Sequence, residues 1–270
     1  MGRQHLVMVT SLPRCGSNML CDLVSQVGYK NFGENVGETK RDPSVFRRKN
    51  PGRIFQDFMK YEKSIGKYTL NPRDKSIRHV LDKFGNVTIC NHIRKDLIKR
   101  YISYELAEIS GVFMYAGENA QKEDFKYTFP ERFHVSKQEE IDKVKQKRMR
   151  LLENHTFVER VVKKAKGDVH CAISNRILLE RNLRESFADV KTTVYEDIIL
   201  DPSKVVGEIV GDEVDVKIKT IKQADEASRI LYDMILESLN DDLIELCTGK
   251  WVDYLGKASD QTKDLWSIFD

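Results

Sequence analysis

Short apolar runs alternate with amphipathic stretches along this chain. Leu6 to Val9 is continuously apolar and reads as a buried strand. Met19, Leu20, Leu23, Val24 and Val27 follow, and from Leu20 their spacing is i, i+3, i+4, i+7, one face of a helix. Gly28 stands where such a helix stops. The first 28 residues therefore predict a strand, a small-residue turn and a helix. Residues 29–66 turn irregular, with Gly33, Gly37, Pro43, Pro51 and Gly52 among many charges, and predict loops with short helices such as Ile54 to Glu62.

Lys67 to Leu70 predicts a short strand, and Val87 to Cys90 a stronger one, bounded upstream by Gly85 and Asn86. A helix follows from about Lys95, with Leu97, Ile98, Tyr101, Ile102 and Ile109 on one side. Residues 111–135 read as a long loop rich in aromatic and polar residues. Ser136 and Glu139 make a capping box, and the helix they open keeps its spacing as far as Gly167. Ile173 to Phe187 predicts a further helix and Lys191 to Tyr195 a strand. Asp201 and Pro202 suit an N-cap and first helical position. A single last helix is expected over 221–246. Strands alternating with helices imply an α/β fold, a mostly parallel sheet covered on both faces.

Composition narrows this little. At 270 residues the chain suits one domain, 1–270, which buries roughly three quarters of its unfolded surface without disulfides. The net charge of +3 does not indicate a nucleic-acid binder. Basic residues outnumber acidic ones between 137 and 166, which we read as a solvated helix face. The five cysteines form no C-x-x-C pair and are odd in number, favouring free thiols in a reducing compartment. No apolar run approaches the ~18 residues of a membrane span, and no secretory leader pattern is visible. A cytoplasmic location without stable membrane insertion is the expectation.

Chemistry enters with Thr10 to Asn18. At a strand–turn–helix junction the N–H groups of Cys15, Gly16, Ser17 and Asn18 converge, the helix dipole adds positive potential, and Arg14 adds a full charge. This is a candidate cradle for phosphate or sulfate. A second candidate follows the 87–91 strand: Arg94 offers a planar fork, and Ser103, on the same helical side as positions 96, 99 and 100, offers a hydroxyl. Two anion sites after two strands suit a nucleotide with phosphates at both ends of its ribose. The loop G-x-x-x-x-G-K-[S/T] of nucleoside triphosphatases is absent. A phosphatase loop would need Arg six residues after Cys15, where Cys21 stands.

Together these residues resemble the sulfotransferases that use 3′-phosphoadenosine-5′-phosphosulfate, above all the bacterial carbohydrate branch typified by trehalose 2-sulfotransferase. That family binds the 5′-phosphosulfate with an Arg-Ser-Gly-Ser-Thr loop; here it stands as Arg14-Cys15-Gly16-Ser17-Asn18, with two departures. The family's 3′-phosphate site is an Arg and a Ser nine residues on, matched by Arg94 and Ser103, with Asp96 in a common acidic position. Tyr195-Glu196-Asp197 with Asp201-Pro202, Gln223-Ala224-Asp225 and, faintly, Gly66-Lys67 resemble further family segments. The resemblance implies a nucleotide-kinase-like α/β sheet, the bisphosphate nucleotide as sulfuryl donor, no metal, a small-molecule or glycan acceptor, and a possible homodimer.

It also implies roles. Arg14 and the N–H groups of Gly16 and Ser17 would stabilise charge on the leaving phosphate. Glu34 matches the family's catalytic glutamate and is the expected base; Glu38 is the alternative. None of the histidines (5, 79, 92, 134, 155, 170) matches the base of other sulfotransferases. Phe113, Tyr115 and Tyr127 are candidates for stacking on a sugar. Two other functions remain open at this point: a nucleotide-dependent kinase with an aberrant phosphate loop, and an inactive relative that binds nucleotide or glycan.

Overall fold

The structure is a computed structural model, described here for residues 4–32, 58–68, 86–112, 114–115, 134–135, 138–218, 225–257 and 262–269. In chain order the elements are β1 (His5–Ser11), α1 (Ser17–Ser25), β2 (Lys30–Asn31), β3 (Lys63–Tyr68), β4 (Asn86–Ile93), α2 (Leu97–Ser110), β5 (Met114–Tyr115) and β6 (His134–Val135). There follow α3 (Gln138–Leu152), α4 (His155–Ser186), β7 (Val190–Val194), α5 (Tyr195–Leu200), α6 (Pro202–Val210), α7 (Glu226–Glu237) and α8 (Asp241–Thr248). A 3-10 turn (Lys250–Tyr254) and α9 (Lys263–Ser267) complete the series.

Contacts cluster into two units. The first contains the main sheet, with strand order β2-β3-β1-β4-β7 and every pair parallel. Leu6, Val7, Met8 and Val9 are at most 2% exposed, so consecutive residues of β1 are buried whichever way they point. That is the signature of a parallel sheet covered on both faces. On one face Val7, Val9, Ile65 and Cys90 pack with Met19, Leu20, Leu23 and Val24 of α1 and with Ile198, Val205, Val206 and Ile209 of α5 and α6. Gly28 closes the turn after α1 with a left-handed φ of 88°. Asp201 caps α6 by accepting from the Lys204 amide at 2.9 Å.

Two strands differ from expectation. β3 begins at Lys63, four residues before the predicted start. Its only fully apolar residue before Tyr68 is Ile65, so the sequence pattern is weak; pairing with β1 and β2 holds it in the sheet. β4 runs on through Asn91 and His92, both 0% exposed. Polar residues are tolerated there because partners exist, as where His92 Nδ1 lies 3.0 Å from Thr193 Oγ1 on β7.

The second unit is helical, with α2, α7 and α8 among its elements and a two-stranded β5-β6 pair. Helix α4 is 32 residues long and passes straight through Gly167, the expected end. The break falls instead at Glu153-Asn154, where the Asn154 side chain accepts from the Phe157 amide at 3.1 Å. An exposed glycine inside a helix costs about 1 kcal/mol, which packing overrides, whereas a capping asparagine starts a new helix. The single helix expected over 221–246 is two, because Asn240 caps α8 through the Leu243 amide at 2.9 Å. Among the described residues no helix is long and apolar enough to cross a membrane. Of the expected helix over 54–62, residues 54–57 lie outside the described residues and 59–62 form a turn and bend instead, where the Tyr61 amide donates to the Phe58 carbonyl at 3.2 Å; the 136–139 capping box lies partly outside.

Candidate anion-binding site

β1 lies between β3 and β4. The chain goes from α1 to strands on one side of β1 and then crosses to β4 on the other. The carboxyl end of β1 is thus a topological switch point, where open α/β sheets bind ligands. The turn between β1 and α1 sits there. Arg14 has φ 69° and is, among the described residues, the one non-glycine in the left-handed region. Gly16 follows with φ 83°. Left-handed residues thus stand on either side of Cys15, and left-handed positions in a turn are what bring successive N–H groups together into anion-binding concavities. Holding Arg14 there costs of order 1–3 kcal/mol, strain of the kind that gathers at functional sites.

Gly16 is also the N-cap of α1 and offers no side-chain cap, so the first-turn N–H groups remain for a ligand. Ser17 is the first helical residue and is 3% exposed. At the root of the turn Ser11 is 3% exposed, and its hydroxyl has no hydrogen-bond partner among the described residues. The buried Asn18 Oδ1 has none either. The Ser11 hydroxyl is thus a donor left for a bound anion, whereas the Asn18 oxygen, an acceptor, is not. Tyr195, the first residue of α5, packs on the turn: a Cβ at residue 16 would stand 2.7 Å from its Cε2. Tyr195, which the sequence marked only through its resemblance to a family segment, thus closes over Gly16.

The second candidate belongs to the helical unit. Arg94 is the first residue after β4 and is half-buried. Ser103 lies in the second turn of α2, also half-buried. Asp96 caps α2 by accepting from the Lys99 amide at 2.8 Å. Arg100, expected on the same polar side, is committed elsewhere: it is 5% exposed and paired with Asp168 of α4. Burial holds the Asp168 carboxyl above its usual range, against the pull of Arg100. Two residues escaped the sequence. Tyr232 of α7 donates to Asp96 Oδ2 at 3.0 Å, and Trp251, fully buried, donates from Nε1 to the Lys95 carbonyl at 2.8 Å. Both lie more than 130 positions away, and no local pattern marks them.

Glu34 and Glu38, the expected base and its alternative, lie outside the described residues, as do Phe113, Tyr127 and the side chain of Tyr115. No family model matches the chain, and no curated protein does. Among solved structures the chain is similar to a sulfotransferase from Alicyclobacillus acidocaldarius, at 14% identity and a TM-score of 0.41 over 94% of this chain and 99% of that one. It is also similar to the sulfotransferase domain of the Synechococcus PCC 7002 olefin synthase, at 14% identity and a TM-score of 0.33 over 99% of this chain and 94% of that one.

Proposed function

We propose that this protein is a sulfotransferase that takes a sulfuryl group from 3′-phosphoadenosine-5′-phosphosulfate and gives it to a hydroxyl of a carbohydrate, glycolipid or other small alcohol. The observation that carries this reading is the turn after β1. A left-handed Arg14, a left-handed Gly16 and an uncapped helix start stand at the switch point of a parallel sheet. The orphaned Ser11 hydroxyl adds a donor to it. The donor set is neutral amides, hydroxyls and a guanidinium, which fits a phosphate or sulfate ester and provides no metal-binding carboxylate.

The nucleotide supplies an activated sulfur whose bond to the phosphate oxygen breaks as the acceptor oxygen bonds to it. The protein's part is positioning and charge stabilisation. In this reading the N–H groups of Cys15, Gly16, Ser17 and Asn18 bind the phosphate end, and Arg14 neutralises the charge left on it. Arg94 and Ser103 take the 3′-phosphate, Arg94 through its fork and Ser103 through its hydroxyl. Glu34 accepts the proton of the acceptor hydroxyl.

The test is transfer of labelled sulfate from the nucleotide to a panel of sugars and glycolipids without added metal, with wild type and Glu34→Gln. The proposal expects transfer by wild type, and nucleotide binding without transfer by the variant. ATP-dependent, magnesium-requiring phosphorylation by wild type would replace it with a kinase.

A further inference from the structure

The turn from Arg94 to Asp96 contains a conflict of charge. Arg94 is assigned to a phosphate, yet two residues on Asp96 brings a carboxylate that is 7% exposed. A carboxylate loose beside a phosphate subsite repels the ligand and competes for the guanidinium. The structure places donors on both oxygens of this carboxylate. Oδ1 accepts from the Lys99 amide at 2.8 Å. Oδ2 accepts from the Lys99 ammonium at 2.9 Å and from the Tyr232 hydroxyl at 3.0 Å.

These donors are not equal. The Lys99 side chain is 55% exposed, and an exposed ammonium on a flexible stem contributes little in water. Its ammonium also rests 4.8 Å above the Tyr232 ring, so the ring steadies the lysine as well. The Tyr232 hydroxyl is a donor fixed from outside the turn, carried by α7 across 136 positions. Burial raises its pKa, and the Asp96 charge raises it further, so it remains a donor at any working pH; the Arg94 charge acts on it in the opposite sense. Trp251 fixes the same turn from a second direction through the Lys95 carbonyl.

We propose that Tyr232 is a positioning residue for a phosphate monoester: by donating to Asp96 it turns that carboxylate toward α2 and keeps it from the phosphate held by Arg94. The inference rests on the nucleotide reading above. Tyr232 itself touches no ligand in this scheme. Its effect is confined to the 3′-phosphate, and it should disappear when residue 96 carries no charge.

The experiment is calorimetry of the full chain with adenosine 3′,5′-bisphosphate and, separately, adenosine 5′-phosphate. Wild type should prefer the bisphosphate. Tyr232→Phe keeps the ring and its packing, and should lose roughly ten-fold in bisphosphate affinity, the scale of a hydrogen bond to a charged group, with 5′-phosphate affinity unchanged. In an Asp96→Asn background, which retains a capping side chain, the same substitution should change bisphosphate affinity by less than about two-fold. A Tyr232→Phe variant that keeps the full preference, or weakens both nucleotides alike, overturns the inference while leaving the nucleotide reading intact. Wild type that does not prefer the bisphosphate overturns the nucleotide reading, and this inference with it.

Discussion

The ring of Tyr195 lies so close over Gly16 that a Cβ on residue 16 would stand 2.7 Å from Tyr195 Cε2. Residue 16 also has φ 83°, where an L side chain is strained. Gly16→Ala therefore suffers twice, and should lose about 1–3 kcal/mol of stability together with nucleotide binding. Thermal unfolding and calorimetry on the same preparation check this. Adding Tyr195→Ala removes the steric clash but not the backbone strain, so it should restore part of the stability lost.

Arg148 is 2% exposed and pairs at 3.0 Å with Asp225, whose side chain is 4% exposed and caps α7 through the Ser228 amide at 3.0 Å. Arg148 also donates to Ser110 Oγ at 3.3 Å and to the Val112 carbonyl at 3.4 Å. Arg148→Met leaves a buried carboxylate uncompensated and should cost about 3–5 kcal/mol in urea unfolding. The pair Arg148→Met with Asp225→Asn removes the orphaned charge and keeps a capping side chain, so it should recover a large part of that loss. An equal loss in the single and double variants would mean that packing, not charge, sets the cost.

What the sequence made legible was local. The α1 spacing, the stop at Gly28 and the Asp201 cap each depend on neighbours within a turn, and each is present. Gly167 misled because a glycine's intrinsic cost is small beside the packing of a 32-residue helix, while the cap at Asn154 sits in an unremarkable Glu-Asn-His stretch. The extension of β4 through Asn91 and His92 looked too polar to be buried, because its partner Thr193 lies 101 positions on. The site divides in the same way. The turn at 14–18 is contiguous and shows in the sequence. Ser11 lies within the Thr10–Asn18 stretch but was given no role of its own, and Tyr232 and Trp251 meet the 94–96 turn only through the fold.

At the other end of the sheet a directional chain of hydrogen bonds links four side chains. The Thr88 hydroxyl donates to Asp189 Oδ2 at 2.7 Å, so it accepts from His5 Nε2 at 3.1 Å, and His5 Nδ1 accepts from the Tyr29 hydroxyl at 2.7 Å. A second proton on His5 would face the Tyr29 donor. Burial accordingly lowers the His5 pKa below 6.5, assisted by Lys191 and Lys63 and opposed by Asp189. The folded state thus binds this proton less readily than the unfolded chain. The contribution is complete above pH 6.5 and is lost as pH falls toward the lowered value. His5→Gln should flatten stability against pH between about 5 and 7, measured by urea midpoints across that range.

Cys171 is exposed, while Cys15, Cys21, Cys90 and Cys247 are buried. Burial pushes the Cys90 and Cys247 thiols up to about 12. The thiolate is the reactive form, so iodoacetamide should label Cys171 first in the folded protein, read by peptide mass spectrometry. Early labelling of Cys90 would contradict the core packing of the main sheet.

The most direct measurement is calorimetry with adenosine 3′,5′-bisphosphate, without metal, on wild type, Arg14→Ala and Arg94→Ala. The account predicts binding by wild type and a loss of at least roughly ten-fold in each variant, since each removes a charged donor to phosphate. No binding by wild type, or affinity unchanged when Arg14 is removed, would contradict it.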